Sequence, residues 1–466
     1  AASLSLAALL AGCAVPRDAG FTQVSQQAEQ RLGQRVVWNR GSPQDQQVRQ
    51  AIEDLLAEPL TADAAVQIAL LNNRRLQATY EDLGVAQAQL VQAGLLKNPV
   101  FHIEPGFLLD GGSTELTFSV TQEFVDLFFM PLRKAVRESE FEAAKLRVTA
   151  AVLDKAADTR NAFYTAQAQE QMLEMRQQVA TATEASLAAA KQLREAGNIR
   201  EVDLHNEQAM HDQARLDLAM AQNEAAESRE WLNMLMGLWG ADTQWTLGPR
   251  LPELAELSSL EELESKAIAS NLELAATEKM IEALGHQLGY TRATGLVPSF
   301  GLGAEAHREE GHWTVGPSIS LEAPLFDQGQ AKVAIAQAEL RRAQETYAAD
   351  AIELRAAARI VRQRLVTTHR AATFYRDQVL PLRQRIVHQT LLNYNAMQVG
   401  VFQLLVARQQ QIDAGRRYIE ALHAYWLART DLDLLLQGRT PKVGNESSRI
   451  NLAPSSMDAG GNKGGH

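Results

Sequence analysis

One cysteine in 466 residues rules out an internal disulfide and any cysteine-rich metal centre. Basic residues are too few for a nucleic-acid binder: 45 Lys and Arg stand against 56 Asp and Glu, a formal charge of −11. Mean hydropathy is −0.22. With 46% hydrophobic and 22% charged residues, this usage excludes a disordered chain and a polytopic helical membrane protein. The catalytic signatures are missing as well. The chain has no phosphate-cradling G-x-x-x-x-G-K-[ST], no H-E-x-x-H and no G-x-S-x-G. Nothing sets its Ser, His and Asp residues into a triad, and its 10 methionines are scattered rather than arrayed as a metal relay. No catalytic residue, cofactor or metal ligand is therefore assigned, and no enzyme is expected. Aromatics fall to 6% while Ala, Gln, Glu and Leu abound, which is the composition of long helices.

The position of the cysteine is informative. Ala1 to Pro16 carry no charge, and Cys13 closes a short apolar run. The run is too short to span a bilayer as a helix and has the length of a signal-peptide apolar region. Leu10-Ala11-Gly12-Cys13 resembles a bacterial lipobox, in which cleavage precedes a cysteine that becomes acylated. Residues 1–12 are read as part of a lipoprotein signal and Cys13 as the lipid attachment point, which holds a protein on a membrane surface without a spanning helix. An ordinary buried cysteine is the alternative.

The chain also repeats itself. The pattern opening at Leu60 returns at Leu260. Pro99-Val100-Phe101 pairs with Pro298-Ser299-Phe300, and Gly197 with Gly400. Arg229, Leu232 and Leu235 pair with Arg429, Leu432 and Leu435. Landmarks in the same order imply a tandem duplication, hinged near Trp245 to Leu254, where Gly248-Pro249 and Pro252 punctuate the chain. The expected organisation is an anchor segment and linker over 13–59, a first repeat over 60–250, a second over 251–438, and a glycine-rich flexible tail over 439–466. Within 13–59, a loop is expected at 38–43 and a short amphipathic helix at 44–57.

Each repeat reads alike. A helix comes first (60–97 and 260–296), then two strands, then a very long helix (131–196 and 328–399), a glycine, and a return helix (199–237 and 401–438). The long helices would reach roughly 100 Å and must pack laterally as coiled coils or tubes. Pro381 is expected to kink or break the second one.

The strands alternate. Phe101, Ile103 and Phe107 interleave with His102 and Glu104; Leu116, Phe118 and Val120 with Thr117, Ser119 and Thr121. Asp110-Gly111-Gly112-Ser113-Thr114 has hairpin-turn composition. In the second repeat Phe300, Leu302, Ala304 and Ala306 oppose Gly301, Gly303, Glu305 and His307, and Trp313, Val315, Ile319 and Leu321 oppose Thr314, Gly316, Ser318 and Ser320. Such alternation fits a transmembrane barrel strand or a half-buried sheet. Four strands cannot close a membrane barrel; three chains would supply twelve.

This order of elements resembles the TolC-like outer-membrane efflux proteins. The densest match is the stretch 323–340, Ala-Pro-Leu-Phe-Asp-Gln-Gly-Gln onward, where the last strand enters the long helix; Leu380-Pro381, the stretch 394–402 and the stretch 418–429 add to it. The resemblance covers roughly residues 60–438. It implies a mainly α fold with a small β part, a duplicated strand-strand/long-helix repeat. Three chains would form a 12-stranded outer-membrane β-barrel continued by a periplasmic α-helical tube. It further implies a homotrimer in the outer membrane of a Gram-negative bacterium, contacting outer-membrane lipid, with most of the chain in the periplasm. A periplasmic adaptor and an inner-membrane pump are the implied partners, with no nucleic acid. The helix tips would contact the adaptor through Gly197, Asn198 and Ile199 and through Val399, Gly400 and Val401. Glycine suits such a reversal because it accepts positive φ. The family's acidic pore ring is not reproduced in the second repeat, where Val406 and Gln409 occupy its offsets; Asp203 is the candidate constriction residue in the first. A helix-start acid complementing the dipole is the equal alternative for Asp203. His307 to His312 has ligand types for a transition metal, although a polar loop is expected there anyway. The rival functions are a lipid-tethered periplasmic coiled-coil scaffold, or an adaptor without a pore. The exported substrate, whether drug, solvent, peptide or metal ion, is not legible.

Overall fold

A computed structural model describes residues 15–106, 115–248, 250–257, 260–297, 299–309 and 312–442. Cys13, the turn residues Asp110 to Thr114, Pro249, Pro298, Glu310 and most of the tail lie outside the described residues. Two short helices open the described chain, α1 (Phe21–Leu32) and α2 (Gln44–Ala57). The polar stretch after Cys13 gave no expectation of α1. It forms because Val24 and Ala28, one turn apart, bury against Trp38, Tyr80 and Val148.

The first repeat then runs α3 (Ala62–Asn72), α4 (Arg74–Ala93), β1 (Val100–Gly106), β2 (Glu115–Glu123), α5 (Val125–Glu195) and α6 (Glu201–Met236). The second runs α7 (Leu263–Ser270), α8 (Leu272–Leu296), β3 (Phe300–Glu309), β4 (His312–Leu321), α9 (Gln330–Phe374), α10 (Leu380–Asn395) and α11 (Val401–Leu436).

The single opening helix expected in each repeat is two helices. Asn73 and Asn271 leave the helical conformation and cap the second piece, accepting from the amides of Leu76 and Leu274 at 3.0 and 2.8 Å. An asparagine with its own local hydrogen-bonding alternative restarts a helix in this way. The Asn73 amide also donates to the Leu235 carbonyl at 2.8 Å in a buried position, so the break is tied to the end of α6.

The first long helix begins at Val125, ahead of the expected Pro131, which lies inside it. Its 71 residues reach about 105 Å. The second long helix carries a π turn at Tyr375–Val379 immediately before Pro381. One wide turn absorbs the amide that proline cannot donate, so α9 and α10 follow one another without a break.

Helices pack side by side. The long α5 lies against α6, α4, α8 and α11, and α9 against α11 and α8. The apolar cores sit where the short α3 and α7 wedge between long helices. One holds Leu60, Ile68, Phe163, Leu232 and Met236; the other holds Leu263, Leu354, Leu365, Tyr425 and Leu432. Where α5, α6 and α11 meet, His423 is half-buried beside Arg176, Asp217, Arg416 and Glu420. Its Nε2 is 3.0 Å from Thr165 Oγ1, and burial pushes its pKa down to about 4.

Candidate functional site

The four strands form one antiparallel sheet in the order β1-β2-β3-β4. The register stacks like with like. Phe101 pairs with Val120 and Val120 with Ala304; Ile103 pairs with Phe118, Phe118 with Ala306 and Ala306 with Val315. Alternation therefore gathers the large apolar side chains, Val100 excepted, on one face. Among the described residues no other element covers that face: Phe101 is 74% exposed, Val315 73% and Ile319 71%. Phe118 and Trp313 approach with ring centroids 5.9 Å apart.

The opposite face is polar. His102 pairs with Ser119, Ser119 with Glu305 and Glu305 with Gly316; Glu104 pairs with Thr117, Thr117 with His307 and His307 with Thr314. Thr117 Oγ1 lies 2.9 Å from His307 Nδ1, and His102 Nε2 lies 3.5 Å from Glu104. Glu104, Glu115, Glu123, Glu305 and Glu309 all lie on this face. Among the described strand residues the one basic side chain is Arg308. It belongs to the apolar face and sits by Trp313. The acidic character of the polar face was missed in part from the sequence, because Glu115 and Glu123 extend β2 by one residue at each end.

A sheet with an apolar face open to its surroundings, an acidic wet face and unpaired edges at β1 and β4 has no stable place in water alone. It has one in a bilayer once closed. Among the described residues no helix is long and apolar enough to cross a membrane. His307, Glu309 and His312 do not form a metal cluster: no three acid, imidazole or thiol groups converge among the described residues. At the base of the sheet, Lys97 bonds Glu123 at 2.7 Å, and Arg133 pairs with Asp126 at 3.2 Å while donating to the carbonyls at the end of α4. These contacts fix the sheet on the start of the long helix.

The two hairpin tips share a backbone pattern 200 positions apart. Gly197 and Asn198 donate to the carbonyls of Arg194 and Leu193; Met397 and Gln398 donate to those of Tyr394 and Asn393. This is the Schellman ending of a helix. Its left-handed residue is Gly197 at φ +75° in the first tip and Met397 at φ +57° in the second. Gly400 does not take positive φ; at φ −77° it starts α11 as Arg200 starts α6. The pairing of Gly197 with Gly400 is thereby corrected: Gly197 matches Met397, and Gly400 matches Arg200. Gly197, Asn198 and Gly400 are solvent-exposed at the two tips, and Ile199, Val399 and Val401 are half-buried.

The tips differ chemically. Asp203 is engaged at the start of α6, accepting from the Arg200 amide at 3.3 Å and from its guanidinium at 3.0 Å. The Arg200 guanidinium holds the Asp203 carboxyl below the usual carboxylate range. The second tip has no such pair. It exposes Met397, Phe402 and Val406, and Gln409 is also exposed.

Known proteins share this geometry. Residues 65–238 match the family described as outer membrane efflux protein. That stretch, which spans the first repeat up to the end of α6, is what the chain shares with the family. The fold is mainly α with a small β part. A relative is the cobalt-zinc-cadmium resistance protein CzcC of Cupriavidus metallidurans, 22% identical over 82% of this chain and 90% of that protein. The CmeC outer membrane channel of Campylobacter jejuni superimposes with TM-score 0.66 at 15% identity, covering 90% of this chain and 94% of that one. The open-state MtrE outer membrane channel of Neisseria gonorrhoeae does so with TM-score 0.62 at 19% identity, covering 80% and 88%. Both superimposed proteins are outer membrane channels. The family works with adaptors and inner-membrane pumps and serves transport.

Proposed function

We propose that this efflux protein is a homotrimeric export channel passing transition-metal cations to the cell exterior. The observation that supports it is the four-stranded sheet. Its apolar face suits lipid, its unpaired edges call for neighbouring copies, and its wet face carries five glutamates with no lysine or arginine. Three copies supply twelve strands, an even number within the range of outer-membrane barrels. The lumen of such a barrel draws cations, which agrees with the cobalt-zinc-cadmium resistance named for the relative from Cupriavidus metallidurans.

The helices form the periplasmic tube, and the tips at Gly197, Asn198, Ile199, Val399, Gly400 and Val401 meet a periplasmic adaptor that links an inner-membrane pump. Exposed Met397 and Phe402 add apolar area to the second tip. Asp203 stands near the narrow end, and acylated Cys13 tethers the chain to outer-membrane lipid.

The test is single-channel recording of the detergent-solubilised protein in a planar bilayer, with its oligomer mass measured alongside. Discrete conductance steps from a trimer are expected, with a reversal potential in a KCl gradient that reports cation preference. Glu104→Gln with Glu305→Gln should move that potential toward zero. If the tip is closed, Asp203→Ala, which removes the Arg200 contact, should restore the steps. A monomer that conducts in neither form would favour a lipid-tethered scaffold. A trimer with anion preference would overturn the cation cargo.

A further inference from the structure

We propose that Glu207 and His211 form a binding site for a divalent transition-metal cation inside the α5–α6 hairpin, within about 15 Å of its tip. This site needs only the hairpin and stands apart from the pore reading.

The seam between α5 and α6 is built from small residues. On α6 the buried positions Ala214 and Ala221 are seven apart, and the next position toward the tip is Glu207. The twin helix α11 buries Ala407, Ala414 and Ala421 at the matching positions. A carboxylate thus stands where the duplicate has a methyl group. It is 4% exposed, which is rare for an acid without a partner. Glu207 Oε2 has no hydrogen-bond partner, and neither does the buried His211 Nδ1 one turn further on.

Among the described residues no ion pair engages Glu207. The ion pairs Arg176–Asp217 and Arg194–Glu201 bracket the antiparallel register. They set Glu207 about level with Leu187 and His211 with Thr183, both buried. The Thr183 hydroxyl donates to the Ala180 carbonyl at 3.0 Å. On this stretch of α5, Glu184 and Lys191 are exposed. On α6, His205 and Asp212 are exposed, and Asp203 is held by Arg200.

A carboxylate and an imidazole four residues apart on a helix have Cβ atoms about 5–6 Å apart. That spacing also lets two helical side chains share a zinc ion. A cation of the zinc type takes both atoms, with carboxylate oxygen and imidazole nitrogen as ligands. With no third acid, imidazole or thiol converging here, water completes the coordination and binding is exchangeable. The second repeat has Ala407 and Gln411 at these positions, so each chain holds one such site.

Zinc is the probe. Metal-free, untagged, full-length protein in detergent is titrated with Zn²⁺ in a calorimeter. Saturable uptake is expected, and Glu207→Ala or His211→Gln should each weaken it by more than about tenfold. Both replacements are the residues the duplicate carries, so the hairpin fold is retained, which circular dichroism verifies. Absence of saturable uptake overturns the proposal. Uptake unchanged in the double variant also overturns it and assigns the zinc to the barrel-wall histidines. Conductance measured in chelator reports the pore separately.

Discussion

Acid should loosen the helical tube at His423. The imidazole is half-buried among α5, α6 and α11, and burial lowers its pKa from 6.5 to about 4. Between those values the unfolded chain accepts a proton that the folded chain refuses. Stability that is fully present above about pH 6.5 is therefore lost progressively as the pH falls toward about 4. A gap of about 2.5 pH units corresponds to about 3 kcal/mol per chain, and the ring's residual solvent contact lowers this to about 2. The variant His423→Gln keeps a polar side chain facing Thr165 Oγ1, 3.0 Å away in the wild type, but cannot titrate. Urea unfolding of the solubilised protein, followed by helical circular dichroism at several pH values, measures both forms. The stability of the wild type should fall by about 2 kcal/mol more than that of His423→Gln across this window. Parallel curves, or an imidazole titrating near 6.5 in the folded protein, would refute the reasoning.

The cap residues at the helix breaks offer a second comparison. Asn73→Ala removes a cap and leaves the buried Leu235 carbonyl without its donor, a loss of about 2–4 kcal/mol. Asn271→Ala, whose amide reaches only the Thr440 hydroxyl at 3.3 Å, should cost about 1 kcal/mol; equal losses in denaturant unfolding would contradict this. At the tips, Gly197→Ala forces a Cβ into the left-handed conformation without any clash, costing about 1–2 kcal/mol. Met397→Gly should gain about 1 kcal/mol by releasing the same strain. Amide exchange at residues 193–198 should accelerate in the first variant, and at 393–398 slow in the second.

The duplication, the strands and the return helices were legible because periodicity and turn residues mark them locally. Leu116, Phe118 and Val120 alternate whatever their neighbours do, and the register then followed from pairing like with like. What eluded the sequence were features set by packing. The helix breaks at Asn73 and Asn271 look like ordinary polar positions until Asn73 is seen to bridge to Leu235. Helix α1 is polar by composition and exists because a few small residues meet Trp38 and Tyr80. The tip register was misread because glycine was followed as the marker. The duplicate places methionine at the left-handed position and uses its glycine at the helix start. Glu207 was legible in principle, as an acid breaking a seven-residue alanine spacing, but only the burial of its oxygen gives that pattern weight.

The open edges of the sheet bear on how the protein is made. The helices draw on contacts within one chain, and many are local, so the periplasmic part can form soon after the chain is exported. The sheet cannot. Strands β1 and β4 end in rows of unsatisfied backbone groups beside an apolar face, and relief comes only when other strands arrive. Maturation thus has a first-order phase and a concentration-dependent phase. Between them stands a half-finished molecule that is prone to pair with the wrong edge. Raised expression should swell that intermediate pool faster than membrane insertion drains it. A periplasmic chaperone that shields strand edges would then govern the yield of channels more than the stability of the helices does.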